Sequence, residues 1–168
     1  VPPKPPQDDS RAAMPGTPDS LPIDELRARA NGRDVAAMEE LSRRLIQGVD
    51  IPKDPQAGAG WLLRAAELGS VQSAFNAGVI YERGFVVERN SAKAAEWYRK
   101  AADADLPAAK HNLALLLRDG KGVARDGTAA IALLKSAARQ GTVASLFSLG
   151  DIYDRGDVAL RDPVEALA

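Results

Sequence analysis

The chain has 168 residues, a formal net charge of −1 and a pI near 5.9, and contains no cysteine. That length fits one domain or one stacked array, and the balanced charge excludes the basic footprint of a nucleic-acid-binding surface and a polybasic lipid anchor. Without cysteine there is no disulfide scaffold and no thiolate metal site, and a reducing or an oxidising compartment fits equally well.

Residues 1–21 carry Pro2, Pro3, Pro5, Pro6, Pro15 and Pro18 with Asp, Ser and Gly between them. So little apolar surface cannot offset chain entropy, which predicts a disordered, polyproline-like tether. "PPKPP" also fits a ligand for a proline-reading domain, although a plain linker explains it as well. The chain opens at Val1 with no basic-then-apolar leader, and is expected to be a piece of a longer protein. No apolar run approaches the ~20 residues of a membrane span.

From Pro22 onward, alanine, leucine and charge follow helical spacing. A lead-in helix, "IDELRARANG", is predicted over about 22–31. Beyond it the sequence repeats. Ala65-Ala66 recurs as Ala101-Ala102 and Ala137-Ala138, 36 residues apart each time. Gly48, Gly84, Gly120 and Gly156 keep the same step, as do Asp54, Asn90, Asp126 and Asp162, and Trp61, Trp97 and Leu133. A period held by several independent positions predicts a repeat array, with units at about 35–70, 71–106, 107–142 and 143–168.

Each unit reads as two helices. The first carries one stripe: Met38, Leu41, Ser42, Leu45; then Ala74, Ala77, Gly78, Tyr81; Lys110, Leu113, Ala114, Leu117; and Leu146, Leu149, Gly150, Tyr153. The position of Ser42, Gly78, Ala114 and Gly150 is always small, so the helix pair is expected to cross there. The second helix aligns Gly58, Trp61, Leu62, Ala65 with Ala94, Trp97, Tyr98, Ala101 and with Ala130, Leu133, Leu134, Ala137. An Asp or Asn stands at its N-cap, Pro55 and Pro163 at its first position, and Gly69 and Gly141 at ends that suit a left-handed residue.

The stretch "RDGKGVARDGTAA", Arg118–Ala130, places glycines around a lysine before a helix, as a phosphate loop does. Among its counterparts, "ERGFVVERNS", "DRGDVALRDP" and the connector around Gly48, only the glycine at Gly120 recurs in every copy, and Lys121 and Gly122 belong to this copy alone. No strand precedes it and no Gly-Lys-Ser/Thr opens the helix, so it is read as a turn.

"AFNAGVIYERGFVVERNSAKAAEWYRKAADAD" and its copies resemble the Sel1-like repeat family, over nearly all of residues 21–168. The resemblance implies an all-α, right-handed α/α solenoid related to tetratricopeptide arrays, serving as an adaptor or scaffold without a cofactor. Val86 and Val158 depart from the second loop glycine, and Ala104-Asp105 from a glycine-ended helix. The last unit stops at "DPVEALA", so a truncated final helix and further repeats or a further domain are expected. A looser resemblance, to the periplasmic regions of bacterial polar-localisation scaffolds, rests on a proline-rich tether leading into such repeats. The alanine-rich composition, with arginine outnumbering lysine about two to one, is common in proteins of GC-rich bacteria. Together they imply a periplasmic location, in a parent protein with a membrane anchor, although related arrays also serve in the cytoplasm.

His111 is the single histidine, which leaves no histidine-based metal cluster and predicts a structural or surface role. Asp151, Asp154, Glu82 and Asp119 have the chemistry of acid/base pairs, but with Arg83, Arg118 and Arg155 beside them they read as salt-bridged surface. The tryptophans read as core. In helix-pair arrays the first helices line the concave side, so the candidate binding ladder is Phe75, His111 and Phe147; Asn76 and Asn112; and Arg83, Asp119, Asp151 and Arg155. The aromatic rungs are either consensus packing residues or stacking platforms for a ligand. Three functions follow: a non-catalytic scaffold gripping a protein or peptide partner, a module binding peptidoglycan directly, or a cell-wall hydrolase. The solitary histidine, the missing cysteine and the regular repeats argue against the last.

Overall fold

The computed structural model describes residues 17–154. A single 3-10 turn, Pro18–Ser20, leads into eight α-helices: α1 (Ile23–Asn31), α2 (Val35–Gln47), α3 (Pro55–Glu67), α4 (Val71–Arg83), α5 (Ser91–Asp103), α6 (Pro107–Asp119), α7 (Gly127–Arg139) and α8 (Val143–Asp154). Among the described residues there is no strand. α2 packs on α3, α4 on α5 and α6 on α7, and each pair meets the next through α3 on α4, α5 on α6 and α7 on α8. The result is the expected all-α solenoid, in which each unit packs against the units beside it.

Local chemistry sets the helix starts. Asp34, Asp54, Ser70, Asn90 and Asp126 each accept the N–H three residues on, from Ala37, Ala57, Ser73, Lys93 and Ala129. The first helices end on Gly48, Gly84 and Gly120 in the left-handed conformation, with φ of 77°, 71° and 67°. The turn expected at Gly120 is therefore present. Gly122 adds a tighter constraint, because a Cβ there would stand 2.3 Å from the Ala92 nitrogen and the Ser91 carbonyl carbon. The loop thus presses its backbone onto the start of α5.

The helices of a pair do cross at the small position. A Cβ on Gly78 would lie 2.5 Å from two ring carbons of Tyr98, whose side chain is wholly buried. In the preceding pair, a Cβ on Gly58 would lie 2.7 Å from Ile46 Cγ1 and 3.0 Å from the Ser42 carbonyl oxygen. Leu26, Leu41, Met38, Ala37 and Ala65 form the core of the first unit, and Tyr98, Leu113, Ala114, Leu116 and Leu134 belong to a larger one running through the later units.

Two charged residues occupy slots that are apolar in the other units. Arg44 is 4% exposed where Ile80, Leu116 and Ile152 stand in later copies. Its guanidinium donates to the Leu21 and Asp19 carbonyls at 2.9 Å each and pairs with Glu40 at 2.7 Å. Of the predicted tether, residues 1–16 lie outside the described residues; Thr17–Leu21 are instead held as a turn against α2, with Leu21 buried. Lys110, in the place of Met38 and Ala74, is buried too; its ammonium binds the Asp105 carboxylate and donates to Ser136 Oγ at 2.8 Å.

The tryptophans were expected in the core. Both rings lie half-buried at its edge, each beneath a cation three residues on: Arg64 at 4.7 Å from the Trp61 centroid and Lys100 at 3.9 Å from that of Trp97. On α8, Val143, Leu146, Phe147 and Tyr153 are exposed. The matching residues of α4, namely Val71, Ala74, Phe75 and Tyr81, are buried or half-buried.

Two stability measurements check these packing assignments. Gly122→Ala is expected to destabilise by about 2–3 kcal/mol, from backbone strain and overpacking together. Gly60→Ala, on a helix surface where a Cβ meets nothing within 4 Å, should stabilise by about 1 kcal/mol. Equal effects in chemical denaturation would contradict the close approach at Gly122. Separately, Arg44→Leu should abolish exchange protection of the Ser20 and Leu21 amides, which donate to the Thr17 and Pro18 carbonyls. Protection kept in that variant would show that the turn holds without the guanidinium.

Candidate functional site

Each first helix has one stripe at i, i+4, i+7 and i+11 that neither its own pair nor the flanking units bury deeply. On α2 it is Ala36, Glu40, Arg43, Gln47; on α4, Gln72, Asn76, Val79, Arg83; on α6, Ala108, Asn112, Leu115, Asp119; on α8, Ala144, Ser148, Asp151, all half-buried or exposed. Stacking the repeats aligns these stripes into one surface. Asn76, Arg83, Asn112, Asp119 and Asp151 all lie on it. Arg155, the remaining charged rung, lies outside the described residues.

The α2 portion is self-satisfied. Arg43 donates to Glu40 at 2.6 and 2.7 Å and to Gln47 Oε1 at 2.8 Å. Burial alone would push the Glu40 carboxyl up, but hydrogen bonds from Arg43 and Arg44 outweigh it and hold the group below its usual range. The α4 and α6 portions are different. Asn76 receives one long hydrogen bond, 3.3 Å from Gln72 Nε2. Next to Asn76 and Asn112 stand the half-buried aliphatic chains of Val79 and Leu115.

Asn112 belongs to a polar group that the repeat pattern did not reveal. The Tyr98 hydroxyl donates to Glu82 Oε2 at 2.6 Å, with Asn112 close enough to influence it. Burial first, and then the Glu82 carboxylate, push that hydroxyl's pKa well up. The available signal was Tyr98 itself, because the other units have Leu62 and Leu134 there, and a buried hydroxyl needs a partner. Of the other carboxylates, Asp119 is bound by Arg118 Nε at 2.7 Å and Lys121 Nζ at 2.8 Å, and its carboxyl is lowered to about 2, chiefly by the Arg118 hydrogen bond. Asp151 lies within electrostatic reach of Arg118.

The ring rungs are not on the stripe but between units. Phe75 packs on the core with its centroid 5.8 Å from that of Tyr98, the rings tilted by 41°. His111 Nδ1 lies 2.9 Å from Oγ of the buried Ser145, and burial, followed by the charge of Arg118, lowers its pKa. One repeat family of contacts explains the position: Glu39 accepts from Ser73 Oγ at 2.8 Å, just as His111 meets Ser145. Where Phe75 takes that place, the matching residue of the next unit is the buried Ala109. Phe147 is 76% exposed. Among the described residues no group of three or more His, Asp or Glu is placed to hold a metal ion, and no helix is long and apolar enough to cross a membrane.

Comparison with known proteins places this geometry. No curated protein matches. Among solved structures, a protective antigen present in uropathogenic Escherichia coli strains, displaying an SLR fold, is 33% identical with a TM-score of 0.75 over 81% of this chain. The present chain spans 29% of that antigen. A Sel1 repeat protein from Oxalobacter formigenes is 32% identical, with a TM-score of 0.71, over 77% of this chain and 97% of its own. Cysteine rich protein B of Helicobacter pylori is 25% identical, with a TM-score of 0.57, over 76% of this chain and 96% of its own. Proteins built from Sel1 repeats generally mediate protein–protein interaction and typically act as non-catalytic scaffolds. With the Sel1 repeat family model matching residues 35–70, 71–106, 107–142 and 143–168, this chain belongs to the Sel1 repeat family.

Proposed function

We propose that the chain is a non-catalytic scaffold that grips an extended segment of a protein partner along the exposed stripe of α4, α6 and α8. We place it in the periplasmic part of a bacterial envelope or cell-polarity protein. The observation that carries the binding surface is the pairing of Asn76 with Val79 and of Asn112 with Leu115 on successive units. A side-chain amide both donates and accepts, so it can match a peptide unit, while the aliphatic neighbour receives a side chain. α2 lacks this pairing: Glu40 and Arg43 stand at the matching positions and are bound to each other. The non-catalytic reading draws on the same contacts: His111 is engaged by Ser145, and Asp119 by Arg118 and Lys121. The periplasmic placement draws on the proline-rich segment that precedes the repeats.

Direct binding of peptidoglycan is a second reading, in which the Phe147 ring would serve as a stacking platform. Pelleting with purified, protein-free peptidoglycan that is lost in Phe147→Ala would support it.

For the leading reading, peptides selected from a displayed random library on the whole chain are the test ligands. Asn76→Ala with Leu115→Ser should weaken them by about tenfold or more, with the helical spectrum unchanged, while Gln47→Ala leaves them unaffected. Selected peptides that bind the double variant as well as the parent would place the site elsewhere.

A further inference from the structure

A second surface lies away from the stripe, where α1 ends. Ala30, Asn31, Arg33, Met38, Trp61 and Arg64 line most of a cleft of about 360 Å³ between α1, α2 and α3, with Glu67 and Leu68 closing its far edge. Met38 and Ala30 form a buried floor, and the half-buried Trp61 ring forms one wall. The Arg64 guanidinium stacks on that ring. A guanidinium held over a ring face can still offer its N–H edge to a planar acceptor. Among the described residues neither Arg33 nor Arg64 makes an ion pair or a side-chain hydrogen bond.

Comparison with the next unit isolates what is particular here. The corresponding place there has Trp97 under Lys100, with Glu67 and Asp103 as the flanking charges, one cation against two carboxylates. The first cleft has two arginines against Glu67 alone. Arg33 also stands in a left-handed backbone slot, φ 69°, that two of its counterparts give to glycine, Gly69 and Gly141, and the third to Asp105 at φ 68°, a region that L side chains rarely adopt. An arginine is thus held in a strained conformation at the mouth of a cleft short of negative charge.

We infer that this cleft is a binding site for a peptide carboxylate carried beside an apolar side chain. The carboxylate bridges Arg33 and Arg64, Asn31 supplies a further amide, and the apolar group lies against Trp61 and Met38. An acidic side chain and a free C-terminus present the same chemistry, and the two are separated by the probes. The site shares no residue with the α4–α6–α8 stripe, so Asn76→Ala leaves it unchanged.

The test follows the Trp61 indole N–H resonance of the whole chain, with Trp97 as internal reference. The probes are a blocked six-residue peptide alternating Leu and Glu, its Leu–Gln counterpart, and an acetylated Leu-Leu-Ala peptide with a free C-terminus. A saturable, salt-weakened shift of Trp61 is expected with the Leu–Glu peptide, the free-C-terminus peptide or both, and none with the Leu–Gln peptide. Arg33→Gly installs the residue that Gly69 and Gly141 supply in this left-handed slot, so the fold should be kept and Tm not lowered, while affinity falls about tenfold or more; Arg64→Gln should do the same to affinity. No shift with either carboxylate peptide, an equal shift with the Leu–Gln peptide, or unchanged affinity in both variants overturns the assignment.

Discussion

The solenoid depends on how closely two helix backbones come within each unit. At the second unit the Tyr98 ring presses against the helix at Gly78, in space that even a methyl group would fill. Dispersion contacts decline steeply with separation. Moving the helices apart there would therefore weaken packing along the whole pair and tilt the surfaces offered to the next one. In the first unit the same proximity is reached from the other side, through Gly58 on α3 against Ser42 and Ile46. The element that must be small thus differs between these two units.

Between units the contacts are more varied. The position of Glu39, Phe75 and His111 joins one unit to the next, by carboxylate to Ser73, by ring packing against the core, and by imidazole to Ser145. A repeat protein has to keep these junctions geometrically alike so that the stack stays regular. It has no need to keep them chemically alike, provided each pair is satisfied. Lys110 shows the same freedom: it replaces an apolar residue, and Asp105, Ser136 and Gln140 gather around the charge.

That distinction explains what could be read without coordinates. The period, the N-caps, the left-handed glycines and the small crossing position were legible, because backbone requirements recur in every copy and each copy votes for them. Exceptions were not. Arg44 reads as one more charged residue on a helix, and only the carbonyls of Asp19 and Leu21 show why it is buried. The junction between His111 and Ser145 spans two helices and has no local signature, so the ring positions were placed on the binding ladder with the stripe residues. Phe75 and Phe147 share a repeat position and a residue type, yet one is packed and the other bare. Burial at such a position depends on what stacks next, which the side chain itself does not encode.

The clasp around Arg44 also has a mechanical meaning. A force drawn along the chain from its N-terminal side reaches Thr17–Leu21 before any helix of the array. There it meets two hydrogen bonds, to the Leu21 and Asp19 carbonyls, made by one guanidinium that is paired with Glu40. Hydrogen bonds loaded side by side share the load, whereas a helix pulled from its end unravels bond by bond. Tension is thereby passed into α2 and the first core, not into α1. The nine-residue helix α1 is spared, and the repeats behind it keep their register under load.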